Sequence, residues 1–251
     1  ARVAKKRKHE VHARTEGATA LAVLHHRPFD DKINFFEATH TYTFDGKRVK
    51  ESVTKVCKLD PTPFDGRKVV DNLFSTWKKQ GPKGEHYERI KNAASDEEAK
   101  QAILASWDAA RDHGTAVHEA VELHMNRYPG PEWRDNSFIT DSTDPLIKPD
   151  LKQLDQWAQW DGTKDLVPLR TELCTGWVTV DGVCAVAGQC DLLMWDVAKQ
   201  QAVLLDLKRV RSKYSLLPTE RAYGGKKCPS GPMAGKQCSK HNEYSLQLSM
   251  Y

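Results

Sequence analysis

The sequence lacks any apolar run near the roughly 20 residues that a helix needs to cross a bilayer. That excludes a membrane-spanning helix. Its start also lacks the basic, apolar and small-residue order of a secretory signal, so an intracellular, non-secreted protein is expected. The chain opens on Ala1 rather than Met, as a processed or cropped chain would. Cysteine is sparse. The six thiols, Cys57, Cys174, Cys184, Cys190, Cys228 and Cys238, are too scattered across 251 residues for a disulfide framework, and reduced thiols are expected. Cys228 and Cys238, with His241 close behind, do not have a zinc-finger spacing, and a fourth ligand is not evident. No internal repeat is visible. The composition, 39% hydrophobic and 29% charged, excludes collagen-like, coiled-coil and fully disordered classes. It leaves apolar material for one large core or two small ones.

Net charge is also low, at +4, but it is unevenly placed. Residues 1–14 carry six basic side chains against Glu10, and residues 207–240 carry nine against Glu220. The stretch between them is acidic. Two basic zones on an acidic body suit a polyanionic partner, the bland alternative being a solubilising tail and a solvated loop. The first zone, with Lys5-Lys6-Arg7-Lys8, reads as a flexible arm that either serves import or touches phosphate. The second contains Arg209, Arg211, Lys226 and Lys227 as candidate phosphate contacts.

Periodicity gives the elements. Residues 40–49 alternate around Asp45-Gly46, a hairpin signal. Residues 66–80 have a helical pattern ended by Gly81-Pro82. Ser95-Asp96-Glu97-Glu98 is a capping box opening a helix that runs to about Arg127, with a break expected at Gly114. Residues 128–145, rich in Pro, Asp, Ser and Thr, read as an exposed loop, followed by a helix over 151–158. Thr171–Val180, Val183–Trp195 and Ala202–Val210 read as three strands of an antiparallel meander. Residues 211–240 read as a loop, and Tyr244–Tyr251 as the start of a helix. The expected fold is α/β (α+β), a central mixed sheet with an antiparallel meander flanked by helices. The expected organisation is a basic arm (1–17), a hairpin and helical part (18–95) and a core (96–251).

The chemistry concentrates on the meander. In Leu204-Leu205-Asp206-Leu207-Lys208 a strand period of two puts Asp206 and Lys208 on one face. This is either an ion pair or part of a site. Asp191 lies in the apolar run of the preceding strand, and a buried carboxylate needs a cation or hydrogen bonds. Two aspartates on adjacent strands beside a lysine form a hard-oxygen site suited to Mg²⁺ or Mn²⁺, which Glu172 on the strand before can join. His118 and Glu122 share a helix face. Alone, His118 reads more readily as a hydrogen-bonded core histidine than as a ligand.

In order, the chain presents Gly114-Thr115-Ala116-Val117-His118, Glu172, Gly188-Gln189-Cys190-Asp191, Asp206-Leu207-Lys208 and Gln247-Leu248-Ser249-Met250-Tyr251. This series resembles the PD-(D/E)XK nuclease superfamily, and within it the RecB-like exonuclease branch. The likeness covers about residues 100–251. Ser52-Val53-Thr54 after the hairpin extends it towards viral, mobile-element and mitochondrial-genome-maintenance members. The resemblance implies a restriction-endonuclease-like core and metal-dependent hydrolysis of DNA, single- or double-stranded, in replication, recombination or repair. The expected setting is a nucleus, a viral replication site or an organelle. By the same likeness Asp191 and Asp206 are metal ligands with the Leu207 carbonyl and His118, and Glu172 binds metal directly or through water. Lys208 acts on the attacking water, and Gln247 and Tyr251 support the site and meet the nucleic-acid backbone. Some RecB-like members hold an iron–sulfur cluster on one early and three late cysteines. Only Cys228 and Cys238 lie late here, so no cluster is expected. The core helix is cut at Tyr251, which leaves open whether the domain continues beyond it. The rival expectations are an inactive nucleic-acid-binding protein on a nuclease scaffold and a zinc adaptor built on Cys228, Cys238 and His241.

Overall fold

The computed structural model describes residues 20–58, 64–142, 144–210, 227, 235–236 and 239–251. It is a mixed α/β protein. Its compact units are Ala1–Asp60 with Val117–Tyr251, and Pro61–Ala116. Among the described residues no helix is long and apolar enough to cross a membrane.

The large unit holds two sheets. The first is antiparallel: β1 (Ile33–Phe36), β2 (Thr41–Phe44) and β3 (Lys47–Arg48). Asp45 and Gly46 both take positive φ, 47° and 73°, as a two-residue hairpin turn of the right twist requires. The second sheet comprises β4 (Glu51–Ser52), β5 (Leu166–Val178), β6 (Cys184–Asp196) and β7 (Gln201–Leu205). β5 and β7 pair antiparallel with β6, which gives the meander, while β4 pairs parallel and makes the sheet mixed. One edge of β6 is taken by β5. Its other edge is shared, by β4 at Val186 and Ala187 and by β7 at Leu192–Asp196. Among the described residues no strand pairs with 188–191 on that side.

Helix α1 (Val53–Cys57) follows β4 directly, its N-cap Ser52 accepting from Lys55 N–H. In the small unit, α2 (Gly66–Gln80) is capped by Asp65, and α3 (Tyr87–Lys91) is short. Their core joins Val70 and Phe74 to Ala99 and Ile103. Helix α4 (Asp96–Arg127) is unbroken for 32 residues. Ser95 caps it, its Oγ accepting from Glu98 N–H at 3.2 Å, and the Glu98 carboxylate reaches back one residue beyond the cap to accept from Ala94 N–H at 2.7 Å. Gly114 does not interrupt it, because one glycine weakens a helix by only about 1 kcal/mol and α4 has many turns on either side.

Residues 128–145 are not simply an exposed loop. Short 3-10 turns at Pro131–Arg134 and Phe138–Asp141 drive Trp133 and Phe138 into full burial. There they meet His124 and Trp157, the latter on α5 (Lys148–Ala158). The polar atoms are matched as well. Trp133 Nε1 donates to the Leu166 carbonyl at 2.9 Å, and His124 Nε2 lies 2.8 Å from the Trp133 carbonyl. The last helix, α6 (Lys240–Met250), starts at the buried N-cap Ser239. Cys57 on α1 donates through its thiol to Met250 Sδ at 3.3 Å.

Candidate metal centre

The site lies on the stretch of β6 between the segments that pair with β4 and with β7. The registers Leu192↔Leu205 and Thr171↔Leu192 flank a row in which Glu172, Asp191 and Asp206 would stand opposite one another on three neighbouring strands. Like charges directly across a sheet repel. Accordingly β7 stops at Leu205, and Asp206–Val210 leave the ladder. The expected strand over 202–210 is thus too long by five residues at its end. The backbone of Leu207 is instead taken up by side chains. Its N–H donates to Asp191 Oδ2 at 2.5 Å, and its carbonyl lies 3.0 Å from His118 Nε2.

Asp206 and Lys208 nevertheless meet, with Nζ 2.6 Å from Asp206 Oδ2. The Asp206 side chain is only 3% exposed, and its Oδ1 is buried without a hydrogen-bond partner. A buried carboxylate oxygen left unmatched costs on the order of 1–3 kcal/mol or more, so it needs a reason. His118 Nδ1 stands 3.6 Å from Asp191 Oδ1. His118, Glu172 and Asp191 each offer a ligand atom within 4.8 Å of the others. Burial first, and Asp206 after it, push the Asp191 carboxyl above its ordinary value, while His118, Lys208 and the Leu207 N–H pull it back. Glu172 takes φ 46°, a left-handed conformation strained for a residue with a β-carbon, and its own carbonyl accepts from Gln189 Nε2 at 3.1 Å. A backbone bent at an acidic residue facing two more acids re-aims that side chain. The structure thus brings two carboxylates and an imidazole together, donors of the kind a divalent cation takes, while Asp206 stands outside that group, paired with Lys208.

The remaining expected residues fall in several places. Gln247 Nε2 donates to the Tyr251 hydroxyl at 2.7 Å, and burial raises the Tyr251 phenol far above its ordinary value. The Tyr251 ring closes over Gly188. A β-carbon at Gly188 would sit 2.6 Å from Val53 Cγ2 and 2.7 Å from Tyr251 Cε1. A β-carbon at Gly114, by contrast, would meet nothing within 4 Å. Arg209 pairs with Asp150 at 3.2 Å. Lys227 is exposed. Arg211, Lys226, Cys228, Cys238, the arm at 1–17 and most of the basic loop lie outside the described residues.

Two features escaped the sequence. One is Tyr244, whose ring centroid lies 5.5 Å from Lys208 Nζ; its spacing from Gln247 and Tyr251 on one helix face was the available signal. The other is Cys190. It is buried under Asp191 with its thiol pushed up to about 12 by burial and then by that carboxylate, which makes it an inert core thiol. Comparison with family models, with curated proteins and with solved structures returned no match.

Proposed function

We propose that this chain is a divalent-metal-dependent nuclease with a restriction-endonuclease-like core, hydrolysing DNA phosphodiester bonds in the manner of RecB-like exonucleases. One observation carries the proposal. Asp206 is a buried carboxylate with an unmatched oxygen, at the end of a row of acids and ion-paired to Lys208. A structural ion pair would satisfy both oxygens. A site that takes a cation leaves one ready.

Asp191, Asp206 and Glu172, with His118 and the Leu207 carbonyl, would hold Mg²⁺ or Mn²⁺. When bound, the ion lowers the pKa of water and offsets the charge of the phosphate. The protein's own groups do the rest. Asp191 fixes the Leu207 peptide through its N–H, and His118 lies against the carbonyl of that peptide, so the backbone between the two D-x-K residues is held on both sides. Lys208 presents its ammonium beside Asp206, suited to orienting a water and to meeting negative charge as it develops on the phosphate. Tyr251 and Gln247, locked to each other over Gly188, wall the site. Arg209, Arg211, Lys226 and Lys227 supply phosphate contacts that do not depend on sequence.

The test is digestion of end-labelled linear, circular and flapped DNA with Mg²⁺, with Mn²⁺ and with EDTA. Cleavage is expected with either metal, and none in EDTA. Asp206→Ala and Lys208→Ala should lose it while keeping the native circular dichroism. Robust cleavage in EDTA, or full activity in Asp206→Ala, would overturn the proposal.

A further inference from the structure

We infer that Tyr244 is a positioning residue for Lys208, holding its ammonium beside Asp206 through the face of the aromatic ring. The inference rests on the nuclease proposal for its catalytic consequence, but the contact itself stands on the geometry. A lysine head on a four-carbon stem has many rotamers, and one bond to a carboxylate fixes only its tip. The Lys208 side chain is 27% exposed, so water competes for the same ammonium. The Tyr244 ring, with its centroid 5.5 Å from Nζ, is within the range at which an aromatic quadrupole attracts a cation.

The ring is itself well held. Tyr244, Gln247 and Tyr251 recur three and four residues apart, on one face of α6. Ser239 caps the start of that helix, and Tyr251 is packed against Gly188 near its end. Tyr244 therefore rides on an element anchored at both ends. A second ammonium, that of Lys240, lies 5.6 Å from the same ring centroid and is tied to Glu243 at 3.0 Å. Each lysine near the ring keeps its own carboxylate, which offsets the repulsion between the two ammonium groups.

Tyr244→Leu removes the ring, and Tyr244→Phe keeps it without the hydroxyl. With Mg²⁺ and DNA, Tyr244→Leu should lower kcat by roughly three- to thirtyfold with KM unchanged, the range a cation–π contact spans. Tyr244→Phe should keep the wild-type kcat. In lysine-labelled protein without substrate, the Hε protons of Lys208 should be shifted upfield by the ring in wild type and Tyr244→Phe, and not in Tyr244→Leu. Wild-type kcat in folded Tyr244→Leu, equal damage in Tyr244→Phe, or unshifted Lys208 protons in wild type would each overturn the inference. Active Asp206→Ala would sink the nuclease proposal instead, and the proton shifts would still decide whether the ring holds Lys208.

Discussion

Asp30 and Asp206 are both carboxylates withdrawn from water beside a cationic side chain, and their surroundings differ. Asp30 accepts from Arg27 N–H and Nε at 3.1 Å, from Arg27 Nη2 at 2.6 Å and from Arg170 Nη1 at 2.5 Å. Burial alone would raise its pKa. The arginine bonds overcome that and hold the carboxyl at about 2. The same arginines reach the His25 and Cys174 carbonyls, so the network fastens the segment around residue 30 to β5, and only Arg170 Nε goes unmatched. Asp206 has one lysine on one oxygen and nothing on the other. A fully matched buried charge belongs to the architecture. The free oxygen of Asp206 is kept at a cost to stability, as the proposed cation site would require.

Substitutions can break this contrast. The largest effect expected is on activity: Asp206→Asn should lower cleavage by more than about a hundredfold while leaving the denaturation midpoint unchanged or higher. A large fall in that midpoint would make Asp206 architectural after all. Asp30→Ala should do the reverse. It strands Arg170 in a buried position and should destabilise by about 3–5 kcal/mol in urea titrations, with kcat retained below the transition. The pH dependence sharpens the contrast further. The folded pKa of Asp30 lies below its ordinary 3.8, so its contribution is present above about pH 4 and lost as pH falls through about 2. Wild type should thus lose about 2 kcal/mol over that window relative to Asp30→Ala, and parallel curves would count against it. The smallest effect is expected at the exposed Arg209–Asp150 pair. Arg209→Ala should change stability by under about 1 kcal/mol. It should also flatten the salt dependence of DNA binding by about one phosphate's worth of slope.

Local signals carried much of the fold. The cap at Ser95, the Asp45-Gly46 turn and the helix over Gly66–Gln80 depend on neighbours in sequence, and they formed where their residue types called for them. What depended on distant partners was hidden. Arg170 and Asp30 are 140 positions apart, and nothing local marks them as a pair. The burial of Trp133 and Phe138 was masked by the polar residues between them, because 3-10 turns have no apolar period long enough to read. At the site, alternation does place Asp206 and Lys208 together, but it extends the strand through them. Leu207 looks like one more ladder residue until Asp191 and His118 are seen to take its peptide groups. Gly188 shows its purpose only once Val53 and Tyr251 arrive from opposite ends of the chain.

Among the described residues, the stretch of β6 from Gly188 to Asp191 amounts to an edge concealed in the interior of a sheet. Exposed edges invite further strands, and proteins guard them with charge, bulges or covering elements. Here the guards are Asp191 itself, the left-handed backbone at Glu172 within β5, and the helix ends that bring Val53 and Tyr251 over Gly188. The devices that keep a stray strand from docking are thus the same side chains that ring the acidic row. Mutations that loosen α6 should therefore threaten this protein twice, through its chemistry and through its tendency to associate edge to edge.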